Sequence, residues 1–262
     1  MTCPYCFVPF DQVPVDPHTV GQVLDAILQL TPTSVTFSGG DPLMYAFLPD
    51  LLIKTKERVP FVQLDTNAKM LREVHLPLLE QTVNLLGLPL DGPDKETHGM
   101  MRGDTRHFDA VLRWIRHLSN SNIALKVNTV VSQKNHSTLT GIGKILESNS
   151  IRKWSVYQFW PMEEGLRHEK EFHIDDESYS SAISELKARF PNIRIEGGSV
   201  QERSPTYVLV THWGRVYTVD PTDIRLYVGL GSIIEPGLLD RVSSMVNLEL
   251  QLERVKGRFE RV

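Results

Sequence analysis

The residues with most chemical potential stand at the start of the chain, where Cys3-Pro4-Tyr5-Cys6 places two thiols three positions apart. A C-x-x-C pair holds iron or zinc, or runs thiol–disulfide exchange. About thirty residues on, Val35-Thr36-Phe37-Ser38 runs as a short apolar strand into Gly39-Gly40-Asp41-Pro42. Glycines at a strand's carboxyl end let main chain approach a ligand closely, so the two features together point to a cofactor site. Further polar groups follow later apolar runs: Asp65-Thr66-Asn67, Asp91-Gly92 and Gln158.

Placing these residues in one site requires a repeating scaffold. Asp16-Pro17 marks a helix start, and strands are expected at 34–37, 61–64, 83–88, 123–131 and 154–159. Helices are expected between them, at 47–58, 71–79, 108–118 and 139–147; residues 89–104 are expected as loop. Strict alternation of this kind predicts a parallel sheet with right-handed crossovers, either doubly wound or curled toward a barrel. Both put ligands at the carboxyl ends of the strands, where the polar residues fall. Beyond Asp175 a longer helix at 178–190 and short strands at 193–195, 207–210 and 215–219 predict an α/β appendage over 175–262, after a core domain over 1–174.

Composition narrows the classes. The chain has 262 residues, 41% hydrophobic, with a formal charge of −4, which leaves no basic footprint for nucleic acid or an anionic membrane. Two cysteines in one motif argue against a disulfide-stapled secreted fold and for a reducing, cytoplasmic setting. No stretch approaches the roughly 20 apolar residues that span a bilayer.

The ordered set Cys3-Pro4-Tyr5-Cys6, Gly39-Gly40-Asp41-Pro42, Leu90-Asp91-Gly92-Pro93 with His98 and Arg102-Gly103, and Asn128-Thr129-Val130-Val131 resembles the radical S-adenosylmethionine (radical SAM) superfamily over about residues 3–158. The resemblance implies a partial (βα)6 TIM-like barrel lacking its first strand, because the family's third cysteine would fall four residues before Cys3, upstream of Met1; the chain is then expected to be truncated at its N-terminus. It implies a 4Fe-4S cluster held by Cys3 and Cys6 and S-adenosylmethionine bound by Gly39, Gly40, Asp41 and Pro42. Tyr5 and Val130 are implied against the adenine, Arg102 on the methionine carboxylate, and Asn67 and Asn128 complete the cofactor-binding set. The implied reaction is reductive cleavage of S-adenosylmethionine to a 5'-deoxyadenosyl radical that takes hydrogen from a small-molecule or peptide substrate, with a flavodoxin- or ferredoxin-type electron donor. Asp41 stands where the family has glutamate, and Pro89 where many relatives have serine.

Within that superfamily, Lys126-Val127-Asn128 and Lys153-Trp154-Ser155-Val156-Tyr157-Gln158 resemble viperin-type nucleotide dehydratases. This implies Lys126 and Lys153 as ligands of substrate phosphate, with Gln158 beside them. Two other functions remain open: a degenerate barrel without a cluster, acting as a binding or regulatory module, and a glutaredoxin-like thiol oxidoreductase. A half zinc site lacks the second ligand pair that a structural site needs.

Overall fold

The computed structural model describes residues 3–9 and 13–255. Six parallel strands lie side by side in chain order: β1 (Ser34–Phe37), β2 (Phe61–Asp65), β3 (Leu85–Pro89), β4 (Leu125–Val131), β5 (Lys153–Gln158) and β6 (Arg194–Gly198). They form a curled half-barrel. Helices α1 (Pro17–Gln29), α2 (Leu48–Lys56), α3 (Leu76–Thr82), α4 (Lys95–Arg102), α5 (His107–Leu118) and α6 (Leu139–Ser148) precede or connect the first five strands. Three further helices, α7 (Glu164–Arg167), α8 (Glu169–Phe172) and α9 (Asp176–Arg189), lie between β5 and β6.

The sixth strand corrects the domain boundary. Residues 175–198 were expected in the appendage, yet β6 pairs with β5 from Lys153↔Arg194 to Tyr157↔Gly198. The reason lies in α9, which buries Tyr179, Ile183 and Leu186 against the same core as the other helices and so delivers the next strand to the sheet edge. What remains outside is α10 (Val200–Arg203), an antiparallel sheet of β7 (Leu209–Val210), β8 (Arg215–Val219) and β9 (Tyr227–Ser232), then α11 (Leu238–Met245) and α12 (Leu248–Val255). Val216, Leu230, Ile233 and Leu238 pack this part onto Val23 of α1.

Local chemistry accounts for the element ends. Asp16 caps α1 by accepting from the Thr19 amide at 2.8 Å, with Pro17 in the first turn. The expected 89–104 loop contains α4, started by the Asp94 carboxylate on the Thr97 amide at 2.7 Å and ended by Gly103 at φ 77°. β9 also escaped expectation, because Gly229 and Gly231 interrupt its apolar pattern.

Side chains alternate across the main sheet. Leu64, Leu86, Val127, Trp154 and Val156 point at the helices and form the apolar core. The opposite, concave face carries the residues between them. No helix among the described residues is long and apolar enough to cross a membrane.

Candidate active site

The concave face is polar. The paired positions Asp65, Gly87, Lys126, Lys153 and Arg194 form one row across β2 to β6, and Asn128, Ser155 and Glu196 form the next row toward the carboxyl ends. Lys126 is 2% and Lys153 7% exposed, an expensive place for ammonium groups. Gly87 makes room between Asp65 and Asn128: a Cβ there would sit 1.9 Å from Asp65 Oδ1 and 2.9 Å from Asn128 Nδ2. Asn128 Nδ2 donates to Asp65 Oδ1 at 3.3 Å, while Asn128 Oδ1 is buried with no partner among the described residues.

At the carboxyl ends of the strands sits the cysteine loop. Cys6 N–H closes a turn onto Cys3 O at 3.0 Å, and three contacts hold the loop to the rest of the molecule. Gly165 N–H donates to Cys6 O at 3.1 Å, Tyr227 Oη to Phe7 O at 2.9 Å, and Tyr5 Oη to Asp91 Oδ2 at 2.6 Å. Asp91 is the hub. Its fully buried carboxylate also accepts Arg102 Nε at 2.5 Å and the Val130 amide at 2.8 Å. Thus it joins the cysteine loop, α4 and β4.

Electrostatics follow from that burial. Burial alone would lower the Arg102 pKa, but the adjoining Asp91 carboxylate outweighs it and holds the guanidinium firmly charged. The same guanidinium stands 3.8 Å from Cys3 Sγ through Nη1. Burial pushes the Tyr5 phenol well above its usual value and raises the Cys6 thiol.

Behind the hub runs a relay of two stacked histidines. The Asp91 amide donates to His98 Nδ1 at 3.1 Å, so that nitrogen carries a lone pair. His107 Nε2 lies 2.6 Å from the Asn67 carbonyl, so that nitrogen carries the hydrogen. Both ends therefore dictate the same middle bond, His98 Nε2–H to His107 Nδ1 at 2.9 Å, and both rings must be neutral. Burial agrees, holding His98 down at about 3 and lowering His107.

Asp41 ties the glycine turn to the next loop. Its carboxylate, 2% exposed, accepts the Leu43 amide at 3.0 Å, the Thr66 hydroxyl at 2.9 Å and the Asn67 amide at 3.1 Å. Burial raises its pKa against the pull of those donors. Gly39, at φ 115°, is exposed with open space where a side chain would go, as a ledge for a ligand requires.

The sequence model of the Radical SAM superfamily matches residues 1–136. The chain belongs to the radical SAM superfamily. Among curated relatives, an S-adenosylmethionine-dependent nucleotide dehydratase of Lacinutrix mariniflava is 23% identical over 232 residues, covering 83% of this chain and 48% of that protein. An AdoMet-dependent heme synthase of Nitratidesulfovibrio vulgaris is 24% identical over 128 residues, 48% of this chain and 35% of the relative. The chain thus spans about a third to a half of the length of these two relatives. Among solved structures, anSMEcpe with bound AdoMet and the Cp18Cys peptide superposes with a TM-score of 0.71 at 16% identity, covering 98% of this chain and 82% of that one. Streptococcus suis SuiB bound to its precursor peptide SuiA gives 0.64 at 15%, covering 76% and 45%.

The expected radical SAM residues fall into three groups. Cys3, Tyr5 and Val130 share one apolar cluster with Met101, Phe159 and Phe172, and Arg102 lies over the Tyr5 ring. Gly39 to Pro42 and Asn67 meet through Asp41. Lys126, Lys153 and Asn128 line the concave face. Gln158 does not: alternation turns it to the helix side, where its amide donates to Asp176 Oδ1 at 2.8 Å and accepts the Val200 amide at 2.8 Å. Gln158, expected in the substrate set, thus lies apart from Lys126 and Lys153. Sequence reasoning also missed Asp91 as a hub and His107 altogether; the Leu-Asp-Gly-Pro motif signalled the first, and nothing signalled the second.

The donor set fits an iron–sulfur cluster in kind but not in number. Cys3 and Cys6 are soft, half-buried thiols beside a fixed cation. Among the described residues, no three His, Cys, Asp or Glu side chains gather to hold a metal. A third thiolate would have to come from outside them.

Proposed function

We propose that this chain is the barrel of a radical SAM enzyme that binds S-adenosylmethionine at the carboxyl ends of the strands and acts on a substrate held on the concave face. The observation that carries the reading is the convergence of Tyr5, Arg102 and the Val130 amide on one buried carboxylate, Asp91, with Cys3 Sγ beside the same Arg102 guanidinium. Gly39, Gly40, Asp41 and Pro42 would present main chain to the methionine ammonium, and Asn67 and Asn128 would flank the cofactor. Tyr5 and Val130 would face its adenine, and Arg102 would meet its carboxylate through a charge-assisted bond. Cys3 and Cys6 would supply two thiolates to a 4Fe-4S cluster, which when bound delivers the electron that cleaves S-adenosylmethionine for hydrogen abstraction. The protein itself orients the cofactor, fixes the charge of Arg102 and excludes water from the Tyr5–Phe172 side.

Lys126 and Lys153 favour a phosphate-bearing small molecule over a peptide as substrate, in line with the nucleotide dehydratase relative. The electron donor would be of the flavodoxin or ferredoxin type. Anaerobic reconstitution with iron and sulfide, then reduction with S-adenosylmethionine, tests the proposal. Iron and sulfide uptake with 5'-deoxyadenosine formation is expected. A colourless protein that leaves S-adenosylmethionine intact, in this chain and in a form extended to carry a third cysteine, would overturn it. The two-thiol donor set favours a second reading, a clusterless binding module, which forecasts S-adenosylmethionine binding without iron uptake.

A further inference from the structure

Arg203, at the end of α10, is 3% exposed and has no carboxylate partner among the described residues. Its Nη2 donates to the Gln158 carbonyl at 2.5 Å and its Nε to the Ser199 carbonyl at 3.4 Å. The guanidinium lies 4.8 Å from the Trp160 ring centre and 5.3 Å from that of Tyr157. Gly198 shows where this side chain lies. It pairs with Tyr157 on the concave face, and a Cβ on it would come within 3.0 Å of Tyr157 Cδ1 and 3.1 Å of Arg203 Cδ. The arginine stem therefore fills the space in front of Gly198, inside the barrel at the carboxyl ends of β5 and β6.

A buried cation without a counter-ion is costly. Carbonyls and aromatic faces offset part of that cost without cancelling the charge. The charge also stands at the end of the barrel where ligands bind.

We propose that Arg203 anchors an oxyanion of the substrate, a carboxylate or a phosphate, at the mouth of the barrel above the Lys126–Lys153–Arg194 row. This inference rests on the reading of the concave face as a substrate chamber, but its test needs neither cluster nor turnover. Arginine side-chain 15N spectra of the whole chain, with Arg203 assigned from Arg203→Lys, are recorded during titration with inorganic pyrophosphate and, separately, succinate. The Arg203 Nε–H signal should shift saturably with one of the two, which identifies the oxyanion, and Arg203→Gln should weaken that binding roughly ten-fold or more. A signal unmoved by both anions, or equal affinity in Arg203→Gln, would reduce Arg203 to a brace between Gln158 and Ser199 and overturn the proposal. Should Arg203→Gln fail to fold, the wild-type titration decides alone. S-adenosylmethionine binding by calorimetry on the same sample tests the enzyme reading separately, so the two can fail independently.

Discussion

Acid should unfold this protein through His98. The folded imidazole titrates at about 3, whereas an unfolded histidine titrates near 6.5. Its folded value is depressed, so between those limits the unfolded chain binds a proton that the folded one refuses. Stability therefore falls as pH drops through about 6.5 and goes on falling toward about 3. Integrated from pH 8 to pH 5, His98 alone costs about 2 kcal/mol. The cause is burial, and a proton on Nδ1 would in addition face the Asp91 amide, donor against donor. His98→Asn offers the same amide a carbonyl acceptor and does not titrate, yet it cannot reach His107. At pH 8 the variant should be less stable by about 1–3 kcal/mol for the severed link. From pH 8 to pH 5 it should lose about 2 kcal/mol less than wild type. Urea unfolding followed by circular dichroism at pH 8, 6 and 5 measures both slopes, and the nearby charges of Asp91, Arg102 and Asp104 are common to the two proteins. Parallel slopes would refute the neutral relay.

Other perturbations isolate other parts of the site. Asp91→Asn strands the Arg102 charge and should cost about 3–5 kcal/mol in urea unfolding. Gly87→Ala drives a methyl into Asp65 and Asn128 and should cost about 1–3 kcal/mol, with loss of the Asp65–Asn128 bond in a crystal structure of the variant. Gln158→Ala should lower stability by about 1–3 kcal/mol in urea unfolding, because its amide braces α9 and α10. Cys3→Ser or Cys6→Ser should abolish iron uptake on anaerobic reconstitution, read by iron and sulfide analysis.

Strands and loop motifs were legible because their signals are local. Val35 to Phe37 before Gly39-Gly40, and Leu86 to Leu88 before Asp91-Gly92, announce strand ends by composition alone. The helix α4 was hidden because Gly92-Pro93 and Gly99 read as loop, while its real signals, Asp94 and Gly103, are single capping residues. β6 was placed in the wrong part of the chain because nothing in Arg194-Ile195-Glu196 says which sheet it joins; the apolar face of α9 decides that. His107 was unreadable in principle. Its role exists only through Asn67, forty residues earlier, and His98, on a helix that the pattern did not reveal.

Charge is not spread evenly over the concave side. Over β1 to β3 the charged groups are mainly carboxylates: buried Asp41 on its three donors, half-buried Asp65 beside Asn128, and buried Asp91, neutralised by Arg102. Over β4 to β6 they are mainly cations, Lys126, Lys153 and Arg203, with Arg194 set against Glu196 at 3.6 Å. On the function proposed above, the ammonium and sulfonium of S-adenosylmethionine would be favoured on the first side and an anionic substrate on the second. Because Gly87 alone separates Asp65 from Lys126 in their shared row, the two sides adjoin there, and a substrate on the lysines would lie next to the cofactor rather than beyond it. The Gly87→Ala variant bears on this geometry as well as on stability: a methyl at the junction should weaken cofactor and anion binding together, whereas Arg203→Gln should touch only the anion.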